Sequence, residues 1–265
     1  MRMPTIEPHE QFIEVAGAKI HLLTGGQGKP LVVFHSVDGN LGWRSYHRQL
    51  AQQFTVYAPT LPGFGLSQRP PWLETFPDLV RFSLWFLQEL SLPQVSLLGH
   101  FIGGWLAAEM AVVCPQILDH LILVDAAGIQ PQQGEITDIF LHGQEGSRKL
   151  MYFDPQQVPE YQELFGRKPT PEEREIQAQN QENAIRYCWK PYMYDRSLPW
   201  LLPRLGVPTL VIWGREDQIA PLECGELYQR AIPGAQLEIL ERCGHCPQLE
   251  KSEEFSRLVQ EFASK

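Results

Sequence analysis

The chain has 265 residues, 43% of them hydrophobic, and a net charge of -9; that length accommodates one large α/β domain that buries roughly three-quarters of its unfolded surface. A pI near 5.4 excludes a nucleic-acid partner, because affinity for a phosphate backbone needs concentrated Lys and Arg. No run approaches the roughly 18 apolar residues of a membrane span, and the N-terminal stretch MRMPTIEPHEQ lacks the apolar core of a signal peptide.

In chain order, residues 11–26 alternate apolar and polar around Ala16-Gly17, which predicts an antiparallel hairpin at a sheet edge. Leu31–Phe34 is a continuous apolar run followed by HSVDGN, residues 43–53 have helical spacing, and Thr55–Ala58 is a second buried strand ending in the tight loop PTLPGFGLS. A helix follows over Phe76–Leu92, then a strand at Val95–Leu98, an alanine-rich helix to Val113, and another apolar run at Leu121–Val124. From Ile129 to Leu201 the rhythm breaks into a segment rich in Gln, Glu, Pro and aromatics that reads as short helices without strands. The strand Thr209–Trp213, a helix near Leu222–Ile232, the strand Gln236–Leu240 and an amphipathic helix from Glu253 complete the chain. Strands alternating with helices argue for a parallel sheet covered on both faces.

The stretch QVSLLGHFIGGWLAAEMAV places Gly99 and Gly103 at the outer positions of a G-x-S-x-G elbow between strand and helix, with Phe101 in the middle. A phenyl ring has no proton to give up and no lone pair to attack with, so the usual covalent intermediate cannot form there. Gly103 and Gly104 still let the helix approach the strand, so the turn survives with a ring expected at the pocket floor beside Trp43, Trp105 and Trp189.

On these residues the chain resembles the α/β-hydrolase family from about residue 12 to the C-terminus. The resemblance implies an α/β fold with a mostly parallel eight-stranded sheet, helices on both faces and a helical lid. The core would be formed by residues 1–128 and 201–265 and the lid by 129–200. It makes Asp217, in the loop GREDQIAP, the acid that orients His245, the general base in RCGHCPQLE; a turn or N-cap role for Asp217 before Pro221 is the other reading. The order elbow, acid, histidine is the family's own. Asp125, closing the strand before the lid, is an alternative acid or a turn cap. The oxyanion amides would come from Val37 and Ile102, with His35-Ser36 where the family has His-Gly, and His100 packing under the elbow.

Ser36 and Cys246 are the side chains best placed to replace the missing serine, although neither sits on the elbow. Cys243-Gly-His-Cys246 spells a dithiol motif but follows a strand instead of opening a helix, and a metal reading lacks a fourth ligand, so no metal and no cofactor are expected. The five scattered cysteines fit a reducing compartment. The expected protein is therefore cytoplasmic, a monomer or homodimer with no nucleic-acid or membrane partner, and with a pocket for a small apolar molecule lined by His35, Ser36, His100, Trp105 and Trp189. Two functions fit. One is an enzyme in which His245 and Asp217 activate water or abstract a proton from an ester- or ketone-like substrate; the other is a catalytically inactive relative that binds or senses an apolar ligand.

Overall fold

A computed structural model describes residues 6–92 and 94–264, so the part of the signal-peptide reading that rests on residues 1–5 lies outside the described residues. Eight strands form one sheet: β1 (His9–Val15), β2 (Ala18–Gly25), β3 (Lys29–Phe34), β4 (Phe54–Pro59), β5 (Val95–His100), β6 (Leu118–Val124), β7 (Thr209–Gly214) and β8 (Gln236–Leu240). Their order is β1-β2-β4-β3-β5-β6-β7-β8. β2 runs antiparallel to both its neighbours and every other pairing is parallel. The hairpin turns where Ala16 and Gly17 take φ of 52° and 78°, the left-handed region that a two-residue turn of this twist requires.

The central strands are apolar throughout because both faces are covered. Along β3 the side chains alternate: Leu31 and Val33 point into a core shared with helices α1 (Ser45–Leu50) and, at the C-terminus, Ser252–Ala263, while Val32 and Phe34 point into the opposite and larger core. That larger core packs α2 (Phe76–Glu89) and α3 (Ile102–Val113) on the sheet. A Thr75 capping box with Asp78, and Pro77 in the first turn, fix the start of α2. α3 is apolar almost all round because it is sandwiched between sheet and α2.

Between β6 and β7 the named elements are all helical: α4 (Gly143–Met151), α5 (Tyr161–Phe165), α6 (Pro171–Cys188) and α7 (Leu198–Leu201), with short single turns between. The helices α8 (Leu222–Ala231), α9 (Pro247–Glu250) and α10 (Ser252–Ala263) follow. α6 is a polar helix started by a Thr170–Glu173 capping box, and it reaches across to the loops after β3 and β4. Asn180 donates to the Asp38 carbonyl at 2.7 Å and accepts from the Gly65 amide at 2.8 Å, and Asn183 donates to the Gly63 carbonyl at 2.8 Å. Both asparagines are buried, and Asn180→Ala takes the side-chain partner from the Asp38 carbonyl and the Gly65 amide. We expect it to cost about 1–3 kcal/mol in urea unfolding; an unchanged midpoint would show that water takes the amide's place.

Candidate functional site

The site gathers at the C-terminal ends of the parallel strands, where sheets of this kind place ligand-handling groups. β5 ends at His100 and α3 starts at Ile102, leaving Phe101 alone at the turn with φ 51° and ψ -108°. That left-handed backbone costs a residue with a Cβ about 1–2 kcal/mol. The turn is held by the Phe101 amide on the Val124 carbonyl (3.0 Å) and by the Phe101 carbonyl accepting from Trp105 (3.0 Å) and Ala127 (3.1 Å). The surrounding backbone is tight: a Cβ on Gly103 would lie 2.6 Å from the His35 carbonyl oxygen, and one on Gly104 would lie 2.6 Å from the Ala126 Cβ.

Against the elbow stands His245, in the loop after β8. Its Nδ1 lies 2.8 Å from Asp217 Oδ2, and both side chains are fully buried. Asp217 fills both of the roles that its sequence allowed: while Oδ2 meets the imidazole, Oδ1 accepts from the Ile219 amide (2.7 Å) and the Ala220 amide (3.1 Å) and shapes the turn before Pro221. The Asp217 contact assigns the imidazole proton to Nδ1, leaving Nε2 as the acceptor a general base needs. That Nε2 is buried without a hydrogen-bond partner. The Phe101 ring stands edge-on to the imidazole, with centroids 4.6 Å apart and planes at 86°.

The histidine loop is held on all sides. The His245 amide donates to the Met151 carbonyl at the end of α4 (2.8 Å), and the His245 carbonyl accepts from His100 Nε2 (2.7 Å). His100 in turn receives a hydrogen bond on Nδ1 from Gln248 (3.1 Å). Burial, then the neighbouring His245, press the His100 pKa well below the ordinary imidazole value, so it stays neutral. Glu250 gathers three backbone amides, Gly244 (2.9 Å) and Cys246 (3.2 Å) on Oε1 and Phe153 (2.8 Å) on Oε2, tying this loop to the segment after α4.

Two cavities adjoin. The smaller, about 40 Å³, is lined by His35, Ser36, His100, Cys246 and Gln248 among others. His35 Nδ1 donates to the Ser36 carbonyl (2.6 Å) and Nε2 accepts from the Leu61 amide (2.8 Å), and burial lowers the His35 pKa to about 4. The Ser36 hydroxyl is buried without a partner, and burial, the largest cause, pushes the Cys246 thiol well above the ordinary range, so it is no ready nucleophile.

The larger cavity, about 320 Å³, lies under α4, α5 and α6, with Leu41, Ile139, Phe140 and Phe165 among its apolar walls and Asp38 and Arg148 among its charged groups. Val37 lines it. Phe101, Ile102 and His245 line neither cavity, being wholly buried. The ring expected at the pocket floor is thus packed beneath it, because the strained elbow turns the side chain onto the imidazole. Trp105 and Trp189, expected at the pocket, also line neither cavity. Trp105 faces α2, stacked on Phe76 at 3.7 Å, and Trp189 is half-exposed and packs edge-on against Tyr192. Trp43 belongs to the opposite core, its indole donating to the Ile6 carbonyl (2.9 Å).

Asp38, Arg148 and Glu250 were missed in the sequence. Asp38 opens into both cavities, and burial, the largest cause, raises its carboxyl pKa although Arg148 and His245 pull it back. Arg148 lays its guanidinium over the Phe165 ring, 4.4 Å from the centroid, and no carboxylate lies within ion-pair distance of it among the described residues. Only the HSVDGN turn after a buried strand could have drawn attention to Asp38; nothing local marks the other two. Among the described residues no helix is long and apolar enough to cross a membrane.

An alternating, mostly parallel sheet with a strand-elbow-helix and a buried Asp–His pair defines a class, and the family model described as the alpha/beta hydrolase family matches residues 31–258. The chain belongs to the alpha/beta hydrolase family. It is similar to a 2-hydroxymuconate semialdehyde hydrolase from Pseudomonas sp. (strain CF600), 29% identical over 94% of this chain and 92% of the relative. It is also similar to a 2-hydroxy-6-oxo-6-phenylhexa-2,4-dienoate hydrolase from Burkholderia cepacia, 28% identical over 92% and 91%. The solved 2-hydroxy-6-oxo-6-phenylhexa-2,4-dienoate hydrolase from Rhodococcus sp. strain RHA1 shares the fold with a TM-score of 0.81 at 24% identity, covering 98% of this chain and all of that one.

Proposed function

We propose that this chain is a ligand-binding member of its family that forms no acyl-enzyme. Residues 129–200 act as a lid over a cavity that takes a small apolar molecule bearing a carboxylate. The observation that carries the reading is the buried Phe101 ring set edge-on to His245, which puts the imidazole out of reach of the larger cavity. A base that lines neither cavity is out of hydrogen-bond reach of a molecule bound in them and cannot take a proton from it. The carboxylate is argued from Arg148: its guanidinium lies on the Phe165 face in the wall of the larger cavity, which it shares with Asp38, yet no carboxylate lies within ion-pair distance of it among the described residues, which fits an anionic group on the ligand. The dienoate relatives fit that ligand chemistry.

The test is a thermal-shift and calorimetric screen of aromatic and aliphatic carboxylates beside their methyl esters. Acids are expected to bind better than esters, and Arg148→Met to weaken acid binding by about 10–100-fold, the equivalent of one charge-assisted hydrogen bond. Equal binding of acids and esters, or an unaffected variant, would remove the carboxylate from the reading.

A second reading keeps chemistry in the site: the Asp217–His245 contact at 2.8 Å is intact and Nε2 is uncommitted, so a swing of the ring would expose an assembled base. Parts of a triad site without the nucleophile retain about 10³–10⁴-fold catalysis over water. Wild-type turnover of p-nitrophenyl esters that disappears in His245→Ala would favour this reading over the first.

A further inference from the structure

Asp125, at the end of β6, is used by neither reading. It is wholly buried and held at φ 41°, a conformation that residues with a Cβ rarely adopt. Its Oδ1 accepts from the Gly214 amide at the end of β7 (2.9 Å), while its Oδ2 is buried with no hydrogen-bond partner. One ligand atom from each of Asp125, Asp217 and His245 lies within 4.8 Å of the other two. Among the described residues no Lys or Arg lies within ion-pair distance of either acid.

Two carboxylates this close and this dry cannot both ionise without a large desolvation and repulsion cost. Asp217 has three polar partners, two of them backbone amides; Asp125 has one amide and an oxygen without a partner among the described residues. We infer that Asp125 is a permanently protonated, uncharged second acid behind the Asp217–His245 pair, the proton resting on its Oδ2. It is a positioning residue: it holds Gly214 and, through it, the loop that aims Asp217, without competing for the imidazole. The direction of its pKa agrees: burial first and the Asp217 charge second raise it far above the ordinary carboxylate value. Glu250 adds to the rise, and among the described residues no Lys or Arg stands at ion-pair distance to reverse it.

The test is infrared difference spectroscopy of the whole chain near neutral pH, comparing wild type with Asp125→Asn. Asparagine keeps an acceptor for Gly214 and replaces the O–H donor by N–H. The proposal expects a protonated-carboxyl C=O band in wild type that vanishes in Asp125→Asn while the thermal midpoint stays within about 2–4 °C. Asp125→Ala, which strands the Gly214 amide, is expected to lose more stability than Asp125→Asn. Glu109, whose pKa burial raises to about 7, and Asp38 and Glu250, which burial also raises, are the other sources of such a band, and Glu109→Gln, Asp38→Asn and Glu250→Gln separate them from Asp125. Absence of the band from wild type, or its survival in Asp125→Asn, would overturn the proposal. Should Asp125→Asn fail to fold, the spectra of Glu109→Gln, Asp38→Asn and Glu250→Gln decide: a band that persists in all three supports the proposal, and its loss in any one of them ends it.

Discussion

Phe101→Ser is expected to turn on covalent labelling by a fluorophosphonate probe and to raise p-nitrophenyl ester turnover by about 10²–10⁴-fold, the usual share of positioned acid–base catalysis. The substitution puts a hydroxyl at the family's nucleophile position and removes the ring that covers the uncommitted Nε2 of His245. The backbone needs no change, because the turn is already held at φ 51°. The same substitution empties a fully buried site, so it should also cost about 3–5 kcal/mol of stability, in the manner of other phenylalanine truncations in cores. Gain of activity with loss of stability is therefore the expected pair, and Phe101→Ser with His245→Ala should lose the labelling again. A Phe101→Ser protein that folds but takes no label would mean that the oxyanion amides of Val37 and Ile102 are not aimed at one point.

Gly103→Ala is expected to destabilise the fold by about 3 kcal/mol, the upper part of the range for overpacking. The added methyl would stand 2.6 Å from the His35 carbonyl oxygen and meet that of Phe34 as well. Both obstacles are backbone, so no side chain can swing aside. Gly17→Ala is the control: its Cβ meets nothing within 4 Å, but its φ is 78°, so only the left-handed strain of about 1–2 kcal/mol remains. Chemical denaturation of the two variants separates crowding from strain, and equal losses would contradict the crowding argument.

The parallel strands were legible because a strand covered on both faces reads as an unbroken apolar run, as in Leu31–Phe34 and Leu121–Val124. The helices between β6 and β7 could be recognised as helical but not delimited. Their cavity-facing residues are few and their outer faces polar, so periodicity fades, although Thr170-Pro171-Glu172-Glu173 carried a start signal for α6. At the site, the resemblance to the family, with its order of elbow, acid and histidine, is what paired Asp217 with His245 in the sequence, and the two side chains lie 2.8 Å apart. Sequence could not show that Phe101 would pack against the imidazole instead of facing the cavity, because that choice is made by the Val124 and Ala127 contacts around the elbow. Nor could it show Arg148 over Phe165, a meeting of two helices whose spacing in the chain says nothing of their contact.

Glu250 gives the covering helices a fixed seam. By collecting the amides of Phe153, Gly244 and Cys246 while Met151 receives His245, it stitches the far end of α4 to the histidine loop, and Asn180 and Asn183 fasten α6 on the opposite side. A cover pinned along two edges does not swing like a hinged door.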